Sequence, residues 1–481
     1  MDESKFVELV KILRPAEKEQ VLHFAMLPFF NHGGMSAQVV QLLEFCLNYP
    51  WGSGQSMSKK EVYSAIFPGQ EFIEGKLEKV MVMAHKVIQS FLLTQHYFRE
   101  ENEFYQIYDL AELVRTRGLE ARHQQLLIRL QKNQEESKHK NFEHYLKQIH
   151  LEYAKHYAES LKNQKKGDLN IPNLLESIEA FYHIRRVALL NRYLLQQKVT
   201  TLDVPEIIHE NLANWVVPER YLGASPSLLI NYVVLTALKK GQPELADVES
   251  LFNLLQVHEK NLDWENLQEF YAYLRNFCVL ILMVDQDNME VMLLLHETNK
   301  DNLERGFLHY EGKLVPSRYK SISATALNVK QFDWANEFIE RYKHEIYGEN
   351  ETQDIYRHNK ALYLFAVGKF SECLDFIPST SPFIDYLMQG KRLELKAFYE
   401  LRSELLTYKL DAFKMFLSRT SPKLLSASLR KSNQEFANLL HQLTYSAPGD
   451  ASRPERLVKR IEEKKQAAEW SWLLAKARLL K

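Results

Sequence analysis

Apolar side chains recur along most of the chain at steps of three and four residues, which collects them on one face of a helix, where a strand would alternate them. Between 142 and 161, Tyr145, Ile149, Tyr153 and Tyr157 fall four apart and define one such face. The period resumes after Lys165-Lys166-Gly167-Asp168 with Leu174, Leu175, Ile178, Phe181, Tyr182, Val187, Leu190 and Leu194. This spacing predicts two long helices joined by a loop. Start signals sit where the reading needs them: Ser58 with Glu61 and Asp287 with Glu290 fit a capping box, and Ser225 precedes a proline suited to the first helical position.

One stretch repeats. Ala326 to Ile339 aligns, 38 residues later, with Leu364 to Ile377, each reading as helix, tight turn, helix. In both copies an aromatic, Phe332 or Phe370, closes the turn, and a small residue, Ala335 or Cys373, follows three positions on, where two helices must approach closely. The pattern resembles the tetratricopeptide repeat. Further helix pairs are expected at 228–256 with a turn at Gly241-Gln242-Pro243, at 263–305 with a turn at Asp285 to Asn288, and at 391–417 with a turn near Arg402-Ser403. The expected fold is all-α: an irregular, tetratricopeptide-like α-solenoid of helix pairs over 111–445, preceded by an N-terminal helical domain over 1–110. Ser446 to Pro454 reads as a linker before one amphipathic helix over 455–481, whose Leu457, Ile461, Trp472 and Leu479 form a stripe suited to docking. Docking in cis, as a cap on the end of the array, is favoured over docking on a second molecule.

Within the N-terminal domain, 58–95 resembles the helix-turn-helix unit of winged-helix regulators. Its second helix carries Met81, Val82, Met83, Val87 and Ile88, which suit a core better than a DNA groove. The segments Phe24 to Asn31, Phe67-Pro68-Gly69, Leu174 to Arg192, Asn276-Phe277-Cys278 and Phe332 to Ala335 resemble a family of uncharacterised helical-repeat proteins from Bacteroidota. The resemblance implies a bacterial cytoplasmic origin and a repeat fold, and implies no activity.

With 46% hydrophobic and 26% charged residues, the chain has ample material for a core, and 16 Gly with 15 Pro are too few to turn an all-β protein. A net charge of −1 provides no global field for nucleic acid, so nucleic acid is not an expected partner. Cys46, Cys278 and Cys373 are widely spaced and suit a reducing compartment. No leader-like basic and apolar start and no run of about 18 apolar residues appear, so no membrane span and a cytoplasmic address are expected. Charge does segregate: 244–304 hold 13 acidic side chains against three basic ones, and 414–481 hold 14 basic against six acidic. Solvated helix faces explain this; a matched partner surface is the functional alternative.

The usual signatures of chemistry are missing. Gly368-Lys369 is followed by Phe370 and lacks the phosphate-loop pattern, and His209-Glu210, His258-Glu259 and His296-Glu297 each lack the second histidine of a zinc helix. His139, His144, His150 and His156 step by five and six residues, which turns successive rings by roughly 140° or 240° and prevents convergence on one ion. No catalytic residue, metal or cofactor is therefore expected. The expected function is a non-enzymatic scaffold holding a protein or peptide, with a DNA-binding or signalling regulator acting through the N-terminal domain as the alternative. By the register of tetratricopeptide arrays, Tyr319, Lys320, Arg357 and His358 on the first helices of the two repeats would face a concave groove and take an acidic peptide.

Overall fold

A computed structural model describes residues 3–51, 57–162, 169–199, 205–213, 216–348, 351–378, 384–421, 423–445 and 453–480. Among these residues the secondary structure is 24 α-helices and two short 3₁₀ turns, with no strand; the only β-type pairings are the isolated bridges Tyr310 to Lys313 and Leu314 to Ile346. The fold is all-α. The sequence-read linker 446–454 lies almost wholly outside the described residues.

The chain divides into two compact units, Met1–Tyr182 and His183–Lys481. The first holds α1 (Lys5–Ile12), α2 (Pro15–Ala25), α3 (Ser36–Leu47), α4 (Lys59–Ile66), α5 (Lys76–Tyr97), α6 (Glu103–Thr116), α7 (Glu120–Glu135), α8 (Phe142–Lys162) and the start of α9 (Ile171–Val199). Helix α5 packs on α1, α2 and α3, and Leu77, Val80, Ala84, Val87, Ile88 and Phe91 along one side of it join Val7, Val10, Leu42, Leu43 and Val62 in one core. A second core unites Phe104, Ile107, Leu126, Leu130, Leu151 and Ala158 from α6, α7 and α8. The cores change over between Phe91 and Phe104, while the compact units divide inside α9.

The second unit continues with α10 (Glu206–Ala213), α11 (Glu219–Ala224), α12 (Pro226–Lys239), α13 (Leu245–His258), α14 (Trp264–Val284), α15 (Met289–Glu304), α16 (Pro316–Asn328), α17 (Phe332–Arg341), α18 (Thr352–Ala366), α19 (Phe370–Phe376), α20 (Ile384–Glu400), α21 (Leu405–Arg419), α22 (Ala427–Thr444), α23 (Arg453–Glu462) and α24 (Trp470–Arg478). From α11 onward each helix packs on the next, and α12 on α14, α16 on α18, and α18 on α20 pack as well. Packing is therefore local in sequence.

Local chemistry explains the boundaries. Ser225 accepts from Leu228 N–H at 3.2 Å with Pro226 at the first helical position, as expected. Helix α15 starts one residue later than the capping box implied: Asn288, in place of Asp287, accepts from Val291 N–H at 3.1 Å. Ser58 is the N-cap of α4, but its side chain makes no capping bond. The repeat turns share one device. Gln331 N–H donates to Ala326 O and Lys369 N–H to Leu364 O, both at 2.9 Å, around a left-handed residue, Lys330 (φ 61°) or Gly368 (φ 80°). The α20–α21 turn repeats it around Arg402 (φ 53°), with Ser403 N–H donating to Phe398 O at 3.0 Å. Glycine is the residue this position favours, and two of the three turns do without it.

Helix α14 is the one helix among the described residues long and apolar enough to cross a membrane by length and composition. Its Phe270, Tyr271, Tyr273, Leu274, Phe277 and Cys278 belong to the core shared with α12, α13 and α15. Cys46, Cys278 and Cys373 are all buried, and burial pushes each thiol up to about 12.

Candidate interaction surfaces

The two repeats form the expected helix pairs, α16 with α17 and α18 with α19, and of the four groove candidates Tyr319 and His358 are buried while Lys320 and Arg357 are half-buried. Tyr319 is fully buried, and its hydroxyl donates to Ile339 O of α17 at 2.7 Å. His358 is buried as well, with Nε2–H donating to Gln389 Oε1 of α20 at 3.1 Å. Lys320 lays its ammonium 4.6 Å from the Tyr386 ring centre, and Arg357 donates to Asp375 O at 2.8 Å. The helix faces carrying 319 and 358 turn toward α17 and α20, so those two side chains serve packing. Burial drives the His358 imidazole down to about 4 against the pull of its bond to Gln389, and Lys320 and Arg392 depress it further.

His358 to Gln389 belongs to a series of polar pairs that sequence reading missed. Asn191 Nδ2–H donates to Asn231 O at 2.8 Å, joining α9 to α12. Ser227 Oγ–H donates to Asn266 Oδ1 at 3.1 Å between α12 and α14, and Arg275 donates to Asn302 Oδ1 between α14 and α15. Ser323 Oγ–H donates to Asn359 Oδ1 at 2.6 Å between α16 and α18, and Arg392 donates to Asn433 Oδ1 at 2.9 Å between α20 and α22. The asparagines are self-supported. Asn231, Asn359 and Asn433 each donate to the carbonyl four residues back, at 3.0, 2.8 and 2.7 Å, which aims the remaining oxygen across the junction. Each pair satisfies polar atoms that would be costly to bury alone. The signal was present, as a small polar residue on an otherwise apolar helix face, but a helix moment averages it away.

At the C-terminus the single expected helix is two. α23 and α24 fold against each other and onto α22, and Leu457, Ile461, Leu473, Leu474 and Ala477 share one core with Leu395, Leu410 and Phe436. In a straight helix Leu473 would lie about 120° round from Ile461, so the break lets both face the same core. Of the stripe read from sequence, Leu457 and Ile461 are buried and Trp472 is half-buried, its indole N–H donating to Glu400 at 3.2 Å, whereas Leu479 is 71% exposed. The turn closes on Glu469, held at φ 55°, whose carboxylate meets Arg392 at 2.9 Å and Lys396 at 2.7 Å on α20. Burial opposes the Glu469 charge, but Lys396 and Arg392 outweigh it and hold the carboxyl at about 2. The hairpin is thus docked in cis by an apolar face and an ionic triad.

The clefts formed by described residues include three of interest. One of 430 Å³ lies between α22 and α23, lined by His441, Tyr445, Arg453, Arg456, Leu457 and Arg460. A second of 440 Å³ in the first unit is polar, with Glu101, Glu136, Glu143, His139, His144 and Lys147 among its walls. Burial, with Lys140 and Lys147, lowers His144 to about 4. His139 and His144 share this cleft, each with a buried Nδ1 that has no hydrogen-bond partner, whereas His150 packs edge-on against Tyr108 and His156 contacts Leu169 O. No group of three or more His, Cys, Asp or Glu that could hold a metal occurs among the described residues. The third cleft, of 640 Å³, is an apolar groove beside α5 lined by Gly34, Met35, Glu78, Lys79, Val82 and Met83. The outward face of α5 carries Lys79, Val82, Lys86, Gln89 and Leu93, cations interleaved with apolar side chains.

No family model matches this chain, and no curated protein and no solved structure is significantly similar to it.

Proposed function

We propose that the protein is a non-enzymatic scaffold that holds protein partners on the surface of a tetratricopeptide-like α-solenoid in the cytoplasm. The observation that carries this reading is the α14–α15 turn. Met283, Val284 and Met289 are 65%, 76% and 47% exposed there, and the exposed Asp285, Asp287 and Glu290 are interspersed with them along the chain. Large apolar side chains left in water among charged ones are the composition of a protein interface. The series of polar pairs supports the same reading, because helix pairs fixed against their neighbours present a surface that is already ordered before a partner arrives.

The test is quantitative co-purification of the tagged full chain from its native host at native expression level, with cross-linking to locate contacts. One partner recovered in fixed stoichiometry and cross-linked near the α14–α15 turn supports the scaffold, provided that Met283→Ser/Val284→Ser abolishes its recovery. Recovery that is indifferent to the double substitution, or a chain that elutes without any other protein, removes the basis for this reading.

A further inference from the structure

Helix α5 buries one side in the core of the first unit and borders the 640 Å³ groove with Glu78, Lys79, Val82 and Met83. Gly34 and Met35, which lead into α3, complete the lining. The loop before them is seated on α5: Gly33 has φ 132°, and a Cβ there would lie 3.7 Å from the Met83 methyl. Gly34 is open, since a Cβ on it would meet nothing within 4 Å, so the backbone of a ligand can approach the groove at that point. Along α5, Lys79, Val82, Lys86, Gln89 and Leu93 follow steps of three and four residues and share one exposed stripe, with Val82 57% and Leu93 68% exposed. Its charge is one-sided. Glu78 is bridged to Lys59 at 2.7 Å, whereas neither Lys79 nor Lys86 forms an ion pair among the described residues. These two cations stand about 10 Å apart along the helix axis.

Shape and charge together specify an occupant. No strand occurs among the described residues, so no sheet edge is offered to an extended peptide, and an apolar groove laid along a helix takes an amphipathic helix through anchors at i, i+3, i+4 and i+7. The unpaired cations on the stripe require acidic residues facing them. We propose that the groove beside α5 docks an amphipathic helix of a protein partner. Its apolar face lies on Val82, Met83, Met35 and Gly34, and its acidic flank, with carboxylates about two turns apart, pairs with Lys79 and Lys86. Duplex DNA is the poorer match, because two cations on an otherwise apolar strip supply few phosphate contacts and leave Val82 and Leu93 against polar base edges. The groove belongs to the first unit, and its occupation does not depend on the α14–α15 turn.

Fluorescence anisotropy on the purified full chain tests the assignment. The probe is a labelled synthetic helix of about 18 residues with leucine at i, i+3, i+4 and i+7 and glutamate on both flanks, and its counterpart carries lysine in place of glutamate. The acidic probe should bind with a Kd of about 1–100 μM, and the basic one about tenfold or more weakly. Gly34→Leu puts a side chain into open space at a backbone position outside the left-handed region, and should weaken the acidic probe about tenfold or more by filling the groove. Lys79→Glu/Lys86→Glu should reverse the preference between the two probes. Helicity and melting temperature matching the wild type exclude misfolding as the cause. Failure of the acidic probe to bind overturns the proposal, as does equal affinity for the wild type and Gly34→Leu. Displacement of the probe by duplex DNA, lost in Lys79→Glu/Lys86→Glu, would overturn it in favour of a nucleic-acid surface. Self-association in sedimentation velocity that Gly34→Leu abolishes would overturn it in favour of a second copy as the occupant.

Discussion

The α1–α5 bundle and the α20–α24 end are both closed helical bodies, yet they are held by different means. In the bundle, α5 contributes an apolar face from Leu77 to Phe91, and Asn31 is the one buried polar residue among the described residues up to Tyr97. At the other end, an apolar core of comparable make-up is crossed by Arg392 to Asn433, by Glu469 to Arg392 and Lys396, and by Lys476 to Glu400 at 2.7 Å. Apolar burial supplies stability without much preference for register, since neighbouring leucines substitute for one another. A buried polar pair works the other way. It adds little net stability but penalises every arrangement in which its members miss each other. The comparison predicts that the bundle answers to lost volume and the array to lost partners.

The largest effect should come from the bundle. Leu77→Ala removes a fully buried side chain from α5 and should cost about 2–5 kcal/mol in urea unfolding, depending on how far the site collapses. A cost under about 1 kcal/mol would mean that α5 is not the centre of that core. Next, Glu469→Gln leaves Arg392 and Lys396 half-buried without their counter-charge and should cost about 3 kcal/mol, loosening the hairpin first. Hydrogen exchange should rise in α23 and α24 before it rises in α21; a uniform rise would argue against docking through this triad.

A smaller effect separates the two kinds of glue most directly. Asn359→Ala removes the bond across the junction, leaving the Ser323 hydroxyl only the Lys320 carbonyl of its own helix at 3.1 Å, and should cost about 1 kcal/mol. The double variant Ser323→Ala/Asn359→Leu should recover most of that, since neither member is left unpaired. If the double variant is no better than the single one, the pair is not the unit that matters. pH provides a milder probe. His358 is held neutral in the fold, from an ordinary value of 6.5 down to about 4, so its contribution is complete above 6.5 and is lost as pH falls toward 4. The slope should not exceed about 1.4 kcal/mol per pH unit for this one group, and His358→Gln should flatten it. The smallest effect is a gain. Lys330 occupies a left-handed position that its counterpart fills with Gly368, and Lys330→Gly should stabilise by about 0.5–1 kcal/mol. A loss there would show that the Lys330 side chain holds more than the turn.

Periodicity made the helices legible, together with the pair boundaries at Gly241, Asp285 and Arg402, because apolar spacing and turn residues are local properties. The break between α23 and α24 was not legible. Residues 463 to 469 contain no Gly or Pro, and the reason to fold back there is a core assembled by α20, α21 and α22. The burial of two groove candidates was hidden for a related cause. Tyr319 and His358 have the composition of a binding face, but which side of α16 and α18 looks outward is decided by α17 and α20. Polar pairs such as Ser323 to Asn359 bridge 36 positions, so a small polar residue on an apolar face does not reveal its partner.

The three cysteines carry a last consequence. Cys46 sits in the α1–α5 core, Cys278 in the core around α14, and Cys373 in the second repeat, each fully buried with its thiol held in the unreactive form. In the native protein they are chemically silent. Each reacts only when its own neighbourhood opens, so the order in which a thiol reagent captures them traces the sequence of local openings along the chain. The natural sequence thereby contains three internal clocks, spaced from one end toward the other, with no label to be engineered in.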